Sequence, residues 1–435
     1  SLALGVASGL GLGLYPLGTY PLPTRSAIRE VPRYRLEART IGHDRFLHAG
    51  RCAGVHVHIE APPGTIWPDV KAARAAPAAR EEMLDLYNLA TALDPALVAI
   101  SRACPFYEGR MSVLATRTVH CRGGFGPDGV YAKLQEVGAL RPYAATVEDL
   151  KVGEREHYRT WYAAMDLAGV ERALFSLTVA DLHRASWNPV RLNRHGTIEI
   201  RSMDSNYPDV TLAVYAVVCG AFDRVRYERL RVRPIPGVRA LKSDGDALLV
   251  PDFAYLSETL VRAAVKGGVK DQPVADYLGS LLRFAAPYVE EPEHVGPLLD
   301  TDGGYRTTEA EIRRLPGMMP SIPRAEGLRL VRESCRHLEE QVRALRRGRR
   351  GALRDAAPRH PAPRHPAPGY VGGAGRGRQG ACRSSANGVV SAALARRHGS
   401  GPSSELEAHW SDVLGQLVVL PARVVKAQRL EKGES

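Results

Sequence analysis

Polar and apolar residues alternate strictly along Gly196-Thr197-Ile198-Glu199-Ile200-Arg201. A β-strand there puts Thr197, Glu199 and Arg201 on one face and Ile198 and Ile200 on the other, with Glu199 and Arg201 about 7 Å apart. Residues 55–60 repeat the pattern: Val55, Val57 and Ile59 alternate with His56, His58 and Glu60. Each strand alone equally suits the solvated face of an antiparallel sheet. Together they predict a curved sheet with a polar concave face and helices on its apolar side.

Elsewhere the apolar spacing is helical. Met83, Leu86, Tyr87, Ala90 and Leu93 mark a helix over 81–93, and Asp94-Pro95 predicts a break with a restart through Val98. Further helices are predicted over 146–182, 210–222, 248–265, 274–289 and 325–345, with Trp187-Asn188-Pro189 ending the first before the Glu199 strand. Many helices, at least two strands and no regular βαβ alternation predict an α+β fold. P-loop and Rossmann glycine fingerprints are absent, so nucleotide binding needs another kind of site.

Past residue 345 the character changes. Ala-Pro-Arg-His-Pro at 357–361 recurs at 362–366, and 369–380 is rich in glycine and arginine. Such a segment cannot bury enough apolar surface to offset its chain entropy, so 346–403 is expected to be disordered. Ser404 and Glu407 then offer a capping box for a short helix in 404–435. The ordered domain is accordingly drawn over 1–345.

Between residues 343 and 383 eleven arginines face one acid, so the rest of the chain carries only +2 of the net +12. An argument for nucleic acid from charge therefore concerns the tail alone, and the body gives no reason to expect a nucleic-acid or membrane partner. Six cysteines without a C-x-x-C pair read as free thiols of a reduced, cytoplasmic protein.

Three blocks in order resemble one family. They are Gly54-Val55-His56-Val57-His58-Ile59, the run from Ala99 to Arg110 through Cys104-Pro105-Phe106, and Gly196-Thr197-Ile198-Glu199-Ile200-Arg201 followed by Asp204. They are similar to the carboxylate–amine ligases that include glutamate–cysteine ligases, over about residues 10–285. The resemblance implies the fold of glutamine synthetase and the guanidino kinases, a curved antiparallel sheet backed by helices. It implies ATP and Mg²⁺, a carboxylate substrate such as glutamate and an amine such as cysteine, joined through an acyl phosphate. Glu199 and His56 would hold the metal, Arg201 and His58 the nucleotide, and Arg201 and Arg117 would act on the transferring group. Leu10, Leu12 and Leu14 with Gly18-Thr19-Tyr20-Pro21 resemble the family's buried strand and its turn, with Tyr20 where histidine is usual. The glutamate-bearing strand expected before that point is missing, which reads as an N-terminal truncation. A competing reading is a non-catalytic remnant that still binds nucleotide or amino acid. The sequence leaves room for a homo-oligomer.

Overall fold

The two alternating stretches form neighbouring strands. The computed structural model describes residues 2–355, apart from 25, 27, 28, 67–74, 123, 124, 126–128 and 180, together with 383–386. Its elements run α1 (Leu2–Gly9), α2 (Pro32–Ile41), α3 (His43–Ala49), β1 (Gly54–Glu60), α4 (Pro77–Ile100), β2 (Phe106–Tyr107), β3 (Arg110–Met111), α5 (Thr118–Cys121), α6 (Gln135–Gly138), α7 (Val147–Leu167) and α8 (Phe175–Thr178). There follow β4 (Val190–Asn193), β5 (Thr197–Asp204), α9 (Pro208–Glu228), β6 (Arg231–Ile235), β7 (Lys242–Asp244), β8 (Ala247–Pro251), α10 (Arg262–Lys266), α11 (Gln272–Ala285), α12 (Thr308–Arg314), α13 (Arg324–Asp355) and β9 (Arg383–Ala386). The fold is α+β, as expected.

The principal sheet has the order β4-β5-β1-β9 with every pair antiparallel. Val57, Ile59, Val190, Leu192, Ile198 and Ile200 share a buried cluster with residues of α4, α9 and α11. The helices cover the apolar side because that is where the period-two pattern leaves hydrocarbon. A second cluster, built on Trp161, Met165, Phe175 and Val130, brings Tyr131 and Trp187 toward the polar side. The hydroxyl of Tyr131, raised first by burial and next by Glu37, also feels Arg201.

α4 is long and apolar enough to cross a membrane, but 94% of its apolar window is buried inside the protein. It is the core helix. It runs without interruption through Pro95, where a break was expected. The side chain of Asp94 beside the proline takes a bidentate contact from Arg122 at 2.6 and 2.7 Å, which ties this turn to α5. α7 starts on a capping box between Thr146 and Asp149. It ends at Leu167, short of the 182 expected, and Gly169 in the left-handed region turns the chain away.

Several expectations fail locally. Leu10, Leu12 and Leu14, expected as a buried strand, form none: α1 ends at Gly9, Gly11 at φ 69° turns the chain, and Leu10 is exposed. The segment 247–251 is a strand, not helix, because β6 and β7 flank it and bury Leu248 and Val250. α13 continues past 345 to Asp355, and residues 383–386 of the arginine-rich segment pair with β1. The expected helix in 404–435, and the rest of 356–435, lie outside the described residues. Cys219 is disulfide-bonded, against the expectation of free thiols throughout, whereas Cys52, Cys104, Cys121 and Cys335 are free.

Candidate functional site

β4 and β5 are joined by Arg194-His195-Gly196, a three-residue hairpin loop that needs Gly196 at φ 77°. The resulting register sets Arg191 of β4 and His58 of β1 directly across from Glu199, one on each side. Glu199 is therefore the centre of the polar face, and it is 1% exposed.

Both oxygens of Glu199 are occupied. Oε2 accepts from Arg191 Nε and Asn193 Nδ2, each at 2.7 Å. Oε1 accepts from Arg201 Nη1 at 2.6 Å and lies 3.0 Å from His56 Nδ1. Burial pushes the carboxyl up, but Arg191, Arg201 and the His56 hydrogen bond override it and hold it well below the usual range. Burial, with Arg201 beside it, depresses His56 to about 3, so its ring is neutral and its Nδ1–H donates a hydrogen bond to Glu199. His58 is also pushed down by burial; its Nδ1 sits 2.9 Å from Thr197 Oγ1 and its Nε2 4.0 Å from Glu199.

After Arg201 the strand changes phase. Val57 pairs with Ile200 but Val55 pairs with Met203, so Arg201 and Ser202 together oppose His56 in a β-bulge. The extra residue keeps Met203 in the core cluster and returns Asp204 to the polar side, across from Gly54. Without a bulge Asp204 would have had the wrong parity. It is fully buried and accepts from the backbone of Ala103 (3.0 Å) and Arg117 (3.1 Å) and from Thr116 Oγ1 (3.0 Å). Burial raises its carboxyl above the ordinary value despite these partners.

Arg117 lies across the bulge. Its Nε donates to the Met203 carbonyl at 3.1 Å and its Nη2 to the Arg201 carbonyl. It lies in space that a side chain at position 54 would fill, since a Cβ on Gly54 would come within 2.2 Å of Nη2. Its Nη1 faces the Cys121 thiol at 3.9 Å and Asp204 lies 4.0 Å from its Nε, so its two backbone bonds shape the strand that carries Arg201.

The structure therefore brings Glu199, Arg201, His56 and His58 together and sets Arg117 beneath them as a clamp. Glu60, at the exposed end of β1, is apart from this group. Sequence reasoning missed Arg191 and Asn193. The signal was present, because Val190 and Leu192 alternate with them as the isoleucines do with Glu199 and Arg201.

Mg²⁺, which the family resemblance implies for this face, does not fit the donor set. It takes oxygen ligands at about 2.0–2.1 Å, and Glu199 is the one carboxylate among the strand residues gathered here, with both oxygens held by guanidinium, amide and imidazole. A divalent ion about 4 Å from a guanidinium is repelled by about 8 kcal/mol at an effective dielectric constant of about 20. Two such groups flank this carboxylate. Among the described residues no group of three or more His, Cys, Asp or Glu could hold a metal.

The family model of glutamate–cysteine ligase family 2 matches residues 2–257, more than half of the chain. Among curated proteins none matches. The matched stretch contains both polar-faced strands, the Cys104-Pro105-Phe106 turn between them and the arginine that clamps the bulge. The chain belongs to glutamate–cysteine ligase family 2, a family of ligase-type enzymes.

Proposed function

We propose that the protein is an ATP-dependent carboxylate–amine ligase that joins glutamate, or a similar carboxylate, to an amine such as cysteine. Carboxylate oxygen is a poor leaving group, so the carboxylate first takes the γ-phosphoryl group of ATP, forming an acyl O–P bond and releasing ADP. The amine nitrogen then attacks the acyl carbon. The C–N bond forms, the C–O bond to phosphate breaks, and the nitrogen loses a proton to solvent. Such chemistry needs positioned positive charge on the transferring oxygens.

The observation that carries this reading is the pair of guanidinium groups on the polar face. Arg191 and Arg201 are both anchored by Glu199, which fixes their orientation before a ligand arrives. Arg201 would face the transferring phosphoryl group, His58 would line the nucleotide's approach, and Arg117 would keep the bulge that aims Arg201. Since Glu199 and His56 do not form a metal site as they stand, no step is assigned to Mg²⁺ there. The four-stranded antiparallel sheet with one polar face supports a glutamine synthetase-like fold, and we read the protein as cytoplasmic.

The saturation of Glu199 favours one alternative, a family member that binds its ligands without turnover. The test is to incubate the protein with ATP, glutamate and a panel of amines including cysteine, measuring ADP and the γ-glutamyl product by mass spectrometry. Stoichiometric product and ADP support the ligase. Binding of ATP or glutamate without product for any amine supports the alternative, and the absence of both overturns the proposal.

A further inference from the structure

We infer that the β1–β5 polar face binds an oxyanion directly on Arg201 and Arg191, with Glu199 as their buried counter-ion and no divalent cation at that carboxylate. The inference concerns the same site, but it stands on the geometry and needs no turnover.

Donor accounting leads to it. Arg201 uses Nη1 on Glu199, and among the described residues its Nε and Nη2 meet no acceptor. Arg191 uses Nε on Glu199 and Nη1 on the Ser186 carbonyl, which leaves its Nη2. Both side chains are 17% exposed, whereas the Glu199 side chain is 2% exposed. The carboxylate is therefore sealed beneath the guanidinium groups, and their spare N–H edges are what solvent meets. The Nε–Nη2 edge is the fork that takes two oxygens of a carboxylate or phosphate.

Charge leads the same way. Two guanidinium groups and one carboxylate leave about one positive charge and the two histidines are neutral, while Arg117 behind the strand is offset by the Asp204 carboxylate 4.0 Å away. A site with this balance attracts anions and repels cations. The two candidate roles for Glu199 then differ in sign. As a metal ligand it would be required for anion binding through the ion. As a counter-ion it offsets part of the positive charge, so its neutral analogue should bind the anion at least as well.

The test uses the full chain and two probes, sodium tripolyphosphate in excess EDTA and Mn²⁺ alone, with glutarate as the carboxylate arm. Phenylglyoxal modification is mapped by mass spectrometry, so that Arg201 and Arg191 are read separately from the arginines of the tail. We expect tripolyphosphate, glutarate or both to slow modification of Arg201 at least 5-fold in EDTA, and which one does so identifies the oxyanion. Arg201→Lys, which keeps the charge but loses the fork, should weaken the active probe about 10-fold or more. In Glu199→Gln, protection of Arg201 should persist or strengthen. Circular dichroism and thermal melting establish which variants fold, and the wild-type protection experiment stands without them. Equal modification of Arg201 with and without both probes would overturn the inference. So would protection that appears only when Mn²⁺ replaces EDTA, or Mn²⁺ bound by the wild type and lost in Glu199→Gln. Turnover without direct anion protection would spare the ligase reading and remove this one.

Discussion

Replacing Gly54 by alanine should unseat Arg117 without touching it. The strand backbone at Gly54 is outside the left-handed region, so alanine is conformationally allowed. Its Cβ would lie 2.2 Å from Nη2 and 2.3 Å from Cζ and Nε of Arg117, too close for any carbon, so the guanidinium must move. It then loses its bonds to the carbonyls of Arg201 and Met203. Hydrogen bonds to charged groups contribute about 1.5–3 kcal/mol each, which makes the loss about 3–6 kcal/mol. The reduced freedom of the unfolded chain returns about 0.4–1 kcal/mol. The net expectation is a destabilisation of about 2–6 kcal/mol, read from the urea midpoint by tryptophan fluorescence at unchanged m. The decisive comparison is made in an Arg117→Ala background, where the collision cannot occur. There Gly54→Ala should be neutral or slightly stabilising, a coupling of about 2 kcal/mol or more. A destabilisation of equal size in both backgrounds would show that the glycine is needed for some reason other than the clamp.

Asp94→Asn leaves Arg122 buried with half its partner's charge-assisted contacts gone. It should lower stability by about 3–5 kcal/mol, and Asp94→Leu with Arg122→Met should recover most of that; a double variant as unstable as the single one would refute the pair's role. His56 should make stability depend on pH. Its value of about 3 in the folded protein lies below the ordinary 6.5, so its contribution is complete above pH 6.5 and is lost as pH falls toward 3. Unfolding measured between pH 7 and 5, above the range where Glu199 takes a proton, should show a slope that His56→Asn reduces by up to about 1.4 kcal/mol per pH unit. An unchanged slope would mean that the ring is not buried neutral in solution.

What the sequence could show followed from its periodicity. The partition of Ile198 and Ile200 from Glu199 and Arg201, and of Val57 and Ile59 from His56 and His58, is the partition in the sheet. Period-two patterning is a local property, and burying one face enforces it. Asp204 was out of reach because a bulge is settled by pairing with another strand, here β1, and by an arginine from 86 residues upstream. Arg191 was missed for want of length: β4 has four residues, too few to stand out from the loop that follows Pro189. The 247–251 segment misled for a related reason. An apolar run covered on both edges by strands looks the same in sequence as the start of a buried helix. Pro95 shows the converse, since a helix held by the core on nearly all sides tolerates a residue that would end a solvent-exposed one.

The bulge at Arg201 and Ser202 also acts as a frame shift inside a strand. Upstream of it, odd-numbered residues belong to the polar face; downstream, even-numbered ones do, as Met203 and Asp204 show. Point substitutions in β5 are therefore independent of one another in phase, but a one-residue deletion outside the bulge is not. Removing Ser202 would take out only the extra residue, so the ladder would become regular and Met203 and Asp204 would keep their faces. Removing Ile200 instead would put Arg201 in its place on the apolar face, against the core cluster. The length of this strand is in that sense a coded quantity, as binding as the identity of any side chain on it.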